Sequence, residues 1–346
     1  MGSIVEFSAI NSKIKALIGK MLSQDQYIKL LNCKDFISTV KVLKDETSYS
    51  ELLRDCNLDK LHRSNLENIL HKHYISTYNT FIKYFSGEYR KLIKVLFLRW
   101  EIEDLKVIIR GKYLNRSSEE INSRLIARSS LNTINYDYLL AFKNVEEVID
   151  GLKGSIYYKY LKNLAKDISE KGLFRIETEL DFVYFTSIRS ELKHLNTENK
   201  EVVQNIIGMG VDILNLGWIY RGKTFYKISP EELFNYTIYN GHKLSKQTIR
   251  KLCYVRDMAD FRDLIENTPY AYIYEKDDSI IIEKHEREFR KIYFKKIIKE
   301  NKNNISLVMS FFMIYRIEIS DIISIIEQKR YSIDIKEGTK YISLTL

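Results

Sequence analysis

One segment of about 14 residues occurs three times along the chain, at a spacing of about 110 residues. The first copy, Arg99–Lys112, and the second, Val211–Lys223, share an acidic residue, an apolar pattern and a terminal Arg-Gly-Lys. The third copy, Arg316–Lys329, keeps the acidic and apolar positions but ends in Glu-Gln-Lys. A repeat of this length is one supersecondary unit. The sequence therefore predicts three related units, at residues 5–117, 118–228 and 229–346.

The repeated segment has the spacing of an amphipathic helix. Apolar residues between Leu98 and Ile109 recur at i, i+4, i+7 and i+11, on one helix face. Gly111 follows the last of them, where a glycine in the left-handed conformation ends a helix with little strain. Arg110 and Lys112 add positive charge at the negative end of the helix dipole. We predict that the motif ends a helix; contact with a phosphate or an acidic partner is the alternative use of its basic residues.

A second element recurs ahead of each long helical stretch. It is a short helical segment that closes with Ser or Thr, any residue, and Tyr. Its three copies are Phe36–Tyr49, Val145–Tyr157 and Phe261–Tyr270.

The composition favours an all-α fold with long helices. Only 2 residues are Pro and 13 are Gly, whereas average usage is about 5% and 7%. An all-β sandwich or barrel needs many more turn residues, and no glycine-rich nucleotide loop is present. Long helices are predicted at Asp59–Phe85, Leu173–Leu192, Glu283–Lys299 and from Leu307 onward.

The sequence predicts neither a membrane-spanning helix nor a disulfide framework. The most apolar stretches, Ile305–Tyr315 and Val202–Tyr220, are too short or carry polar residues. Three widely spaced cysteines and the absence of an apolar signal-peptide core indicate a reducing compartment.

No catalytic, cofactor-binding or metal-binding constellation is predicted. His71 and His73 are two residues apart, so on a helix they point in different directions and do not share a metal. Neither a nucleophile motif nor a phosphate-binding loop is present. The acidic cluster from Glu101 to Asp104 is followed by basic residues, which predicts ordinary ion pairs on a helix surface.

The formal net charge of +9 suits three kinds of partner: acidic protein surfaces, anionic lipid headgroups or nucleic acid. The 25 Tyr and 16 Phe fit base stacking, but along helix faces aromatic residues usually form the core.

The Trp-Glu-x-x-Asp-Leu-x-x-Ile-x-Arg-Gly-Lys block over Trp100–Lys112 resembles the C subunit of V/A-type rotary ATPases, the homologue of the d subunit of the vacuolar ATPase. Its two echoes, and the opening Asn11–Leu22 followed by Tyr27 and a Leu-Leu pair, extend the resemblance over essentially the whole chain. The third copy departs from the pattern, with Glu327 and Gln328 in place of a basic residue and glycine.

The resemblance implies an elongated, funnel-shaped, all-helical protein with three related domains around a pseudo-threefold axis. Members of this family are non-catalytic sockets. They link the central-stalk subunits D and F of the ATP-hydrolysing head to the membrane rotor ring, and so couple ATP hydrolysis or synthesis to proton or sodium transport. It also implies a peripheral position on the cytoplasmic side of the membrane, no cofactor and no nucleic acid.

We place the predicted stalk contact at the ends of the motif helices, because basic residues recur there in the first two units. The four residues are Arg110, Lys112, Arg221 and Lys223. A basic helical scaffold that binds nucleic acid is the competing hypothesis, and its binding would fall steeply as salt rises.

Overall fold

The computed structural model describes residues 2–164, 173–300, 302–331 and 333–343, except for the side chains of residues 2–6 and 59. Within these ranges the secondary structure is helical, without a strand. The α-helices in chain order are α1 (Gly2–Ile18), α2 (Gln24–Asn32), α3 (Phe36–Glu46), α4 (Arg63–Ile82), α5 (Gly87–Tyr113), α6 (Ser118–Ser123), α7 (Tyr136–Leu140), α8 (Val145–Gly151), α9 (Tyr158–Leu161), α10 (Phe174–Leu192), α11 (Thr197–Thr224), α12 (Pro230–Tyr236), α13 (Lys246–Tyr254), α14 (Met258–Ile265), α15 (Ser279–Glu300), α16 (Ile305–Arg330) and α17 (Ile335–Gly338). Short 3₁₀ helices lie at Ser48–Ser50, Leu58–Lys60, Ala271–Tyr274 and Thr339–Tyr341.

The predicted all-α class is confirmed, and the long helices lie close to their predicted bounds. The stretch predicted at Leu173–Leu192 is α10, and the stretch from Leu307 is part of α16. The single helix predicted over Asp59–Phe85 is shorter than expected, because residues 58–60 form a 3₁₀ turn before α4 begins. We call α5, α11 and α16 the motif helices, since each contains one copy of the repeated segment.

The chain divides into two compact units. The larger unit comprises Met1–Tyr74 and Glu201–Leu346, and the smaller unit comprises Ile75–Lys200. In the larger unit, α16 packs against α15 and also against α1 and α3, so the beginning of the chain packs on its last long helix. In the smaller unit, α5 packs against α10. The division into three sequence units stays a prediction.

The predicted role of Gly111 as a helix stop is wrong. Gly111 lies inside α5, which continues to Tyr113. The left-handed residue is Asn115, at φ 52°, and the N–H of Arg116 closes the helix end on the carbonyl of Gly111. Gly111 is needed for a different reason: a Cβ there would overlap the side chain of Ile121 on α6.

The motif helix also approaches the following short helix closely at the second and third motifs. At the third motif the glycine is on the short helix instead of on the motif helix. A Cβ on Gly222 would overlap Leu233 on α12. In the third copy the motif position is occupied by Gln328, and the glycine is instead on the short following helix, at Gly338. Gln328 Nε2 donates to the carbonyl of Gly338 at 2.7 Å.

One helix of the described ranges, α11, is long and apolar enough to cross a membrane by length and composition alone. In this structure 61% of its most apolar stretch is buried within the protein.

Candidate functional site

The first acidic position of the motif is buried in α5, where it holds a loop and a tyrosine. Glu101 accepts hydrogen bonds from the backbone N–H of Thr133 at 2.5 Å and from its hydroxyl at 2.6 Å. The Tyr157 hydroxyl donates to the same carboxylate at 2.6 Å. Glu101 is fully buried, so the predicted surface ion pairing is wrong for this residue. The prediction rested on the basic residues that follow Glu101 on the same helix. The same spacing occurs on a helix whose acidic face is covered by a loop, so it does not show that the acid is exposed.

The corresponding acid in α11 has the same kind of partners. Asp212 Oδ2 accepts from the backbone N–H groups of His242, Lys243 and Leu244, at 3.0, 2.6 and 3.2 Å. The Tyr270 hydroxyl donates to Asp212 at 2.8 Å. The carboxylate therefore fixes the loop that leads into α13.

In α16 the corresponding acid binds the N-terminal part of the chain. Glu318 accepts from the backbone N–H of Leu22 and from the Tyr49 hydroxyl, both at 2.8 Å. In each copy the tyrosine is the last residue of the predicted Ser/Thr-x-Tyr turn. Its own N–H donates to the Ser or Thr hydroxyl two residues earlier, at 3.2 Å in all three copies. The turn prediction is confirmed, and its function is to aim the tyrosine at the acid.

A second polar position, three residues further along each motif helix, also binds residues that connect the helices. Asp104 accepts from the N–H groups of Ile126 and Ala127, at 3.0 and 2.7 Å. The equivalent side chains bind in the same way: Asn215 exchanges two hydrogen bonds with the backbone of Ile238, and Asp321 accepts from the N–H and hydroxyl of Ser343. In α5 and α11 both polar positions bind the same connection, residues 124–135 and 237–245, whereas in α16 they bind Leu22 and Ser343.

Burial raises the pKa of three of the motif acids, Glu318, Asp104 and Asp212. It raises the pKa of Glu318 to about 7, against the opposing hydrogen bonds from Tyr49 and Leu22. It raises the pKa of Asp104 to about 6 and also raises that of Asp212. Strongly shifted carboxyls often mark active sites. Here each one is bonded to backbone N–H groups of its own unit, which gives it a structural role.

The motif lysines also act within the fold. Lys112 is 6% exposed, and its ammonium donates to the carbonyl of Leu140 at 2.7 Å, at the end of α7. Lys223 donates to the carbonyl of Val255 at 2.7 Å, just after α13. Burial lowers the pKa of both ammonium groups. Lys329, the third copy, makes the equivalent bond to the carbonyl of Leu31 in α2.

The motif arginines lie at the surface. Arg110 has a 48% exposed side chain and forms a double hydrogen bond with Glu177, at 2.5 and 3.0 Å. Arg221 is exposed and forms no ion pair with any described residue. In the third copy the position is Glu327, whose carboxylate pairs with Arg63 at 2.5 Å. Each arginine shares a helix with its motif lysine but differs from it in exposure.

Large apolar side chains beyond the motif are exposed at all three helix ends, and we did not predict them from the sequence. Leu114 is 56% exposed after α5, Tyr226 is 66% exposed after α11 and Tyr331 is 64% exposed after α16. The signal available in the sequence was an aromatic or leucine residue within three positions of each motif lysine. These residues, beside the exposed arginines, make the motif-helix ends the best candidate for partner contact.

The described ranges contain no group of three or more His, Cys, Asp or Glu placed to hold an ion. His71 and His73 lie on α4, and burial lowers the pKa of both.

A family model described as ATP synthase (C/AC39) subunit matches residues 10–338. Among curated proteins, the C subunit of the A-type ATP synthase from Methanococcoides burtonii is 26% identical over 277 residues, covering 78% of this chain and 73% of that protein. The proteins of the same name from Methanosphaera stadtmanae and Archaeoglobus fulgidus are each 24% identical. Those two alignments each cover 93% of this chain, and 83% and 91% of the respective relatives.

Proposed function

Because the chain belongs to the ATP synthase (C/AC39) subunit family, and is an accessory rather than a catalytic subunit of that complex, we propose that it is the central-stalk socket of a V/A-type ATPase. In this role it binds the stalk subunits D and F on one side and the membrane rotor ring on the other. Torque then couples ATP hydrolysis or synthesis to proton or sodium transport. The protein is peripheral, on the cytoplasmic side of the membrane.

The polar contacts of the three motif helices carry the proposal. Each helix is fixed to neighbouring connections through buried side chains at equivalent positions, and by a lysine near its end that donates to a backbone carbonyl. A satisfied buried polar network specifies one arrangement and resists sliding of a helix along its neighbours. A part that transmits torsion needs that resistance.

We further propose that residues 5–117, 118–228 and 229–346 are three related domains arranged around a pseudo-threefold axis in a funnel-shaped molecule. The recurrence of the same acid–tyrosine and lysine–carbonyl contacts in α5, α11 and α16 supports this arrangement. The nucleic-acid alternative receives no support from the family match.

The stalk contact is proposed at Arg110, Lys112, Arg221 and Lys223. The arginines and the lysines have different roles in it. The exposed arginines supply the charge that meets the stalk. The lysines fix the helix ends that present it. The exposed Leu114 and Tyr226 beside them supply apolar contact area.

Reconstitution tests the coupling role. ATP-driven ion uptake into proteoliposomes is measured with the complete complex and with a complex assembled without this chain. Loss of uptake while the head still hydrolyses ATP is the expected result. Undiminished uptake in complexes that lack the chain would contradict the proposal.

Charge reversal tests the stalk contact. The double variant Arg110→Glu/Arg221→Glu is expected to weaken binding of the D–F stalk pair in a pull-down, because both exposed cations at the helix ends become anions. Arg124→Glu/Arg250→Glu is the matched control, with the same change of charge at two other exposed arginines. Equal stalk binding by the two variants would rule out the motif-helix ends as the contact.

A further inference from the structure

The second half of α15 carries an unpaired cluster of positive charge. Lys295, Lys296 and Lys299 are exposed, and none forms an ion pair with a described residue. Since like charges this close on a helix repel one another, the cluster is unfavourable for the isolated protein. Its charge is available to an external anion.

The first half of the same helix differs, because its charges are neutralised locally. Glu288 lies 3.8 Å from Lys284 and accepts a hydrogen bond from the Tyr272 hydroxyl at 2.7 Å. Arg290 pairs with Glu286 at 2.9 Å. Exposed positive charge is therefore confined to the end of the helix.

An apolar side chain lies on the same face as the lysines. Ile292 precedes Lys295, Lys296 and Lys299 by three, four and seven residues, which places all four side chains on one side of the helix. It is 55% exposed. Partial desolvation of Lys295, together with the neighbouring charges of Lys291 and Lys299, lowers the pKa of its ammonium. We call Ile292, Lys295, Lys296 and Lys299 the lysine face.

The other repeats show that the shared fold does not require these lysines. By their place ahead of a motif helix, α4 and α10 correspond to α15. The last twelve residues of α4 and α10 contain one basic residue each, Lys72 and Arg189. The last twelve residues of α15 contain five.

The composition of the lysine face favours a bilayer over a folded acidic protein. Acidic sites on proteins are usually bound by arginine, because its planar guanidinium group forms two parallel hydrogen bonds with a carboxylate. The lysine face has no arginine, and its flexible point charges suit a diffuse layer of headgroups. The exposed Ile292 adds apolar contact area beside the lysines, and membrane binding grows with buried apolar area and with attraction to anionic lipids.

We propose that the lysine face contacts the anionic phospholipid headgroups of the membrane. The inference extends the proposed function, which puts the protein beside a membrane, but the contact with lipid does not depend on the stalk subunits. It also gives one use for the excess positive charge of the chain.

Vesicle binding by the purified full-length chain tests the proposal. Vesicles of phosphatidylcholine are compared with vesicles that also contain phosphatidylglycerol, in a sedimentation assay over a range of salt concentrations. Binding is expected only with phosphatidylglycerol and is expected to fall as salt rises. Equal binding to both kinds of vesicle, or none to either, would overturn the proposal.

Two triple variants with the same loss of charge separate the lysine face from net charge. Lys295→Gln/Lys296→Gln/Lys299→Gln is expected to bind anionic vesicles about 100-fold more weakly, from roughly a fivefold contribution per lysine. Lys34→Gln/Lys41→Gln/Lys143→Gln, at three exposed lysines elsewhere, is expected to bind like the parent. Equal losses in both variants would show a nonspecific charge effect and refute the assignment.

A third measurement distinguishes lipid from protein and separates this proposal from the proposed function. Binding of the lysine-face variant to the D–F stalk pair and to the detergent-solubilised ring is expected to match that of the parent. Weakened ring binding in detergent, with vesicle binding intact, would assign the surface to a protein partner instead. Failure of stalk binding by the parent itself would contradict the proposed function and leave the vesicle result standing.

Discussion

The contact between a motif helix and the short helix after it is built in two opposite ways at the first and third motifs. In the smaller unit, α5 supplies the glycine, Gly111, and α6 supplies the large side chain, Ile121. In the larger unit, α16 supplies the large side chain, Gln328, and α17 supplies the glycine, Gly338. The close approach is preserved although both residue types have changed sides.

This difference shows that the repeat preserves occupied volume rather than residue identity. Protein interiors are packed so densely that a large residue on one side of such a contact requires a small one on the other. The third motif departs from Arg-Gly-Lys for a physical reason: its partner helix already provides the space, and Gln328 adds a hydrogen bond to Gly338.

The buried acids provide the largest expected difference between the two units. Glu101 satisfies three donors in the smaller unit, and Glu318 satisfies two in the larger. With about 1–3 kcal/mol for each buried donor left unpaired, Glu101→Leu is expected to lower the free energy of unfolding by about 4 kcal/mol and Glu318→Leu by about 3 kcal/mol. Urea unfolding followed by helical circular dichroism measures both values.

Hydrogen exchange locates the two effects. Faster amide exchange is expected at Thr133 in the Glu101 variant and at Leu22 in the Glu318 variant, because each loses its acceptor. If either substitution left both amides protected, the carboxylate would not be what holds its loop.

The raised pKa of Glu318 makes the free energy of unfolding depend on pH. Its pKa is about 7 in the folded protein, above the ordinary value of 4.5, so the folded state keeps a proton that the unfolded state has lost in this range. This group therefore lowers the free energy of unfolding as the pH rises from about 4.5 to about 7, by about 3 kcal/mol in total.

Glu318→Gln cannot titrate and isolates that contribution. The difference in unfolding free energy between the parent and Glu318→Gln should change steadily between pH 4.5 and pH 7 and level off above it. A constant difference across this range would mean that Glu318 keeps an ordinary pKa.

Exchanging the residues at the inverted contact tests whether volume is the property preserved. Gly111→Gln places a large side chain against Ile121 and is expected to destabilise the protein by about 2 kcal/mol, as overpacked cores do. Adding Ile121→Gly copies the arrangement of the third motif and should recover most of the loss. Thermal unfolding of the single and double variants measures the recovery.

No recovery in the double variant would show that the backbone geometry of the two contacts differs. Ile121→Gly alone is the control, because it removes a buried side chain without relieving any overlap.

Sequence reasoning predicted the helices and turns well because their signals are local. The apolar spacing gave the bounds of α10 to within one residue, and the Ser/Thr-x-Tyr turns follow from neighbouring residues. The roles of Gly111, Glu101 and Lys112 could not be predicted in this way. Each depends on a residue from another helix or loop, and neither periodicity nor charge spacing shows which face that element covers.

The smallest expected difference concerns the motif lysines, which occupy equivalent places but bind different acceptors. Lys112 donates to the Leu140 carbonyl and to the Ser118 hydroxyl, whereas the Leu31 carbonyl is the acceptor described for Lys329. Methionine keeps the length and apolar stem of lysine but cannot donate. Lys112→Met is therefore expected to lower the free energy of unfolding by about 1 kcal/mol, and Lys329→Met by somewhat less.

Stalk binding by the same variants decides whether the lysines act only within the fold. Lys112→Met removes a positive charge from the proposed contact, as Arg110→Met does, but the Lys112 ammonium is buried against α7 while the Arg110 guanidinium is exposed. Arg110→Met should therefore weaken binding of the D–F pair more than Lys112→Met, with the smaller effect on unfolding. The reverse order would mean that the partner reaches the buried lysine, and that the end of α5 opens when the stalk binds.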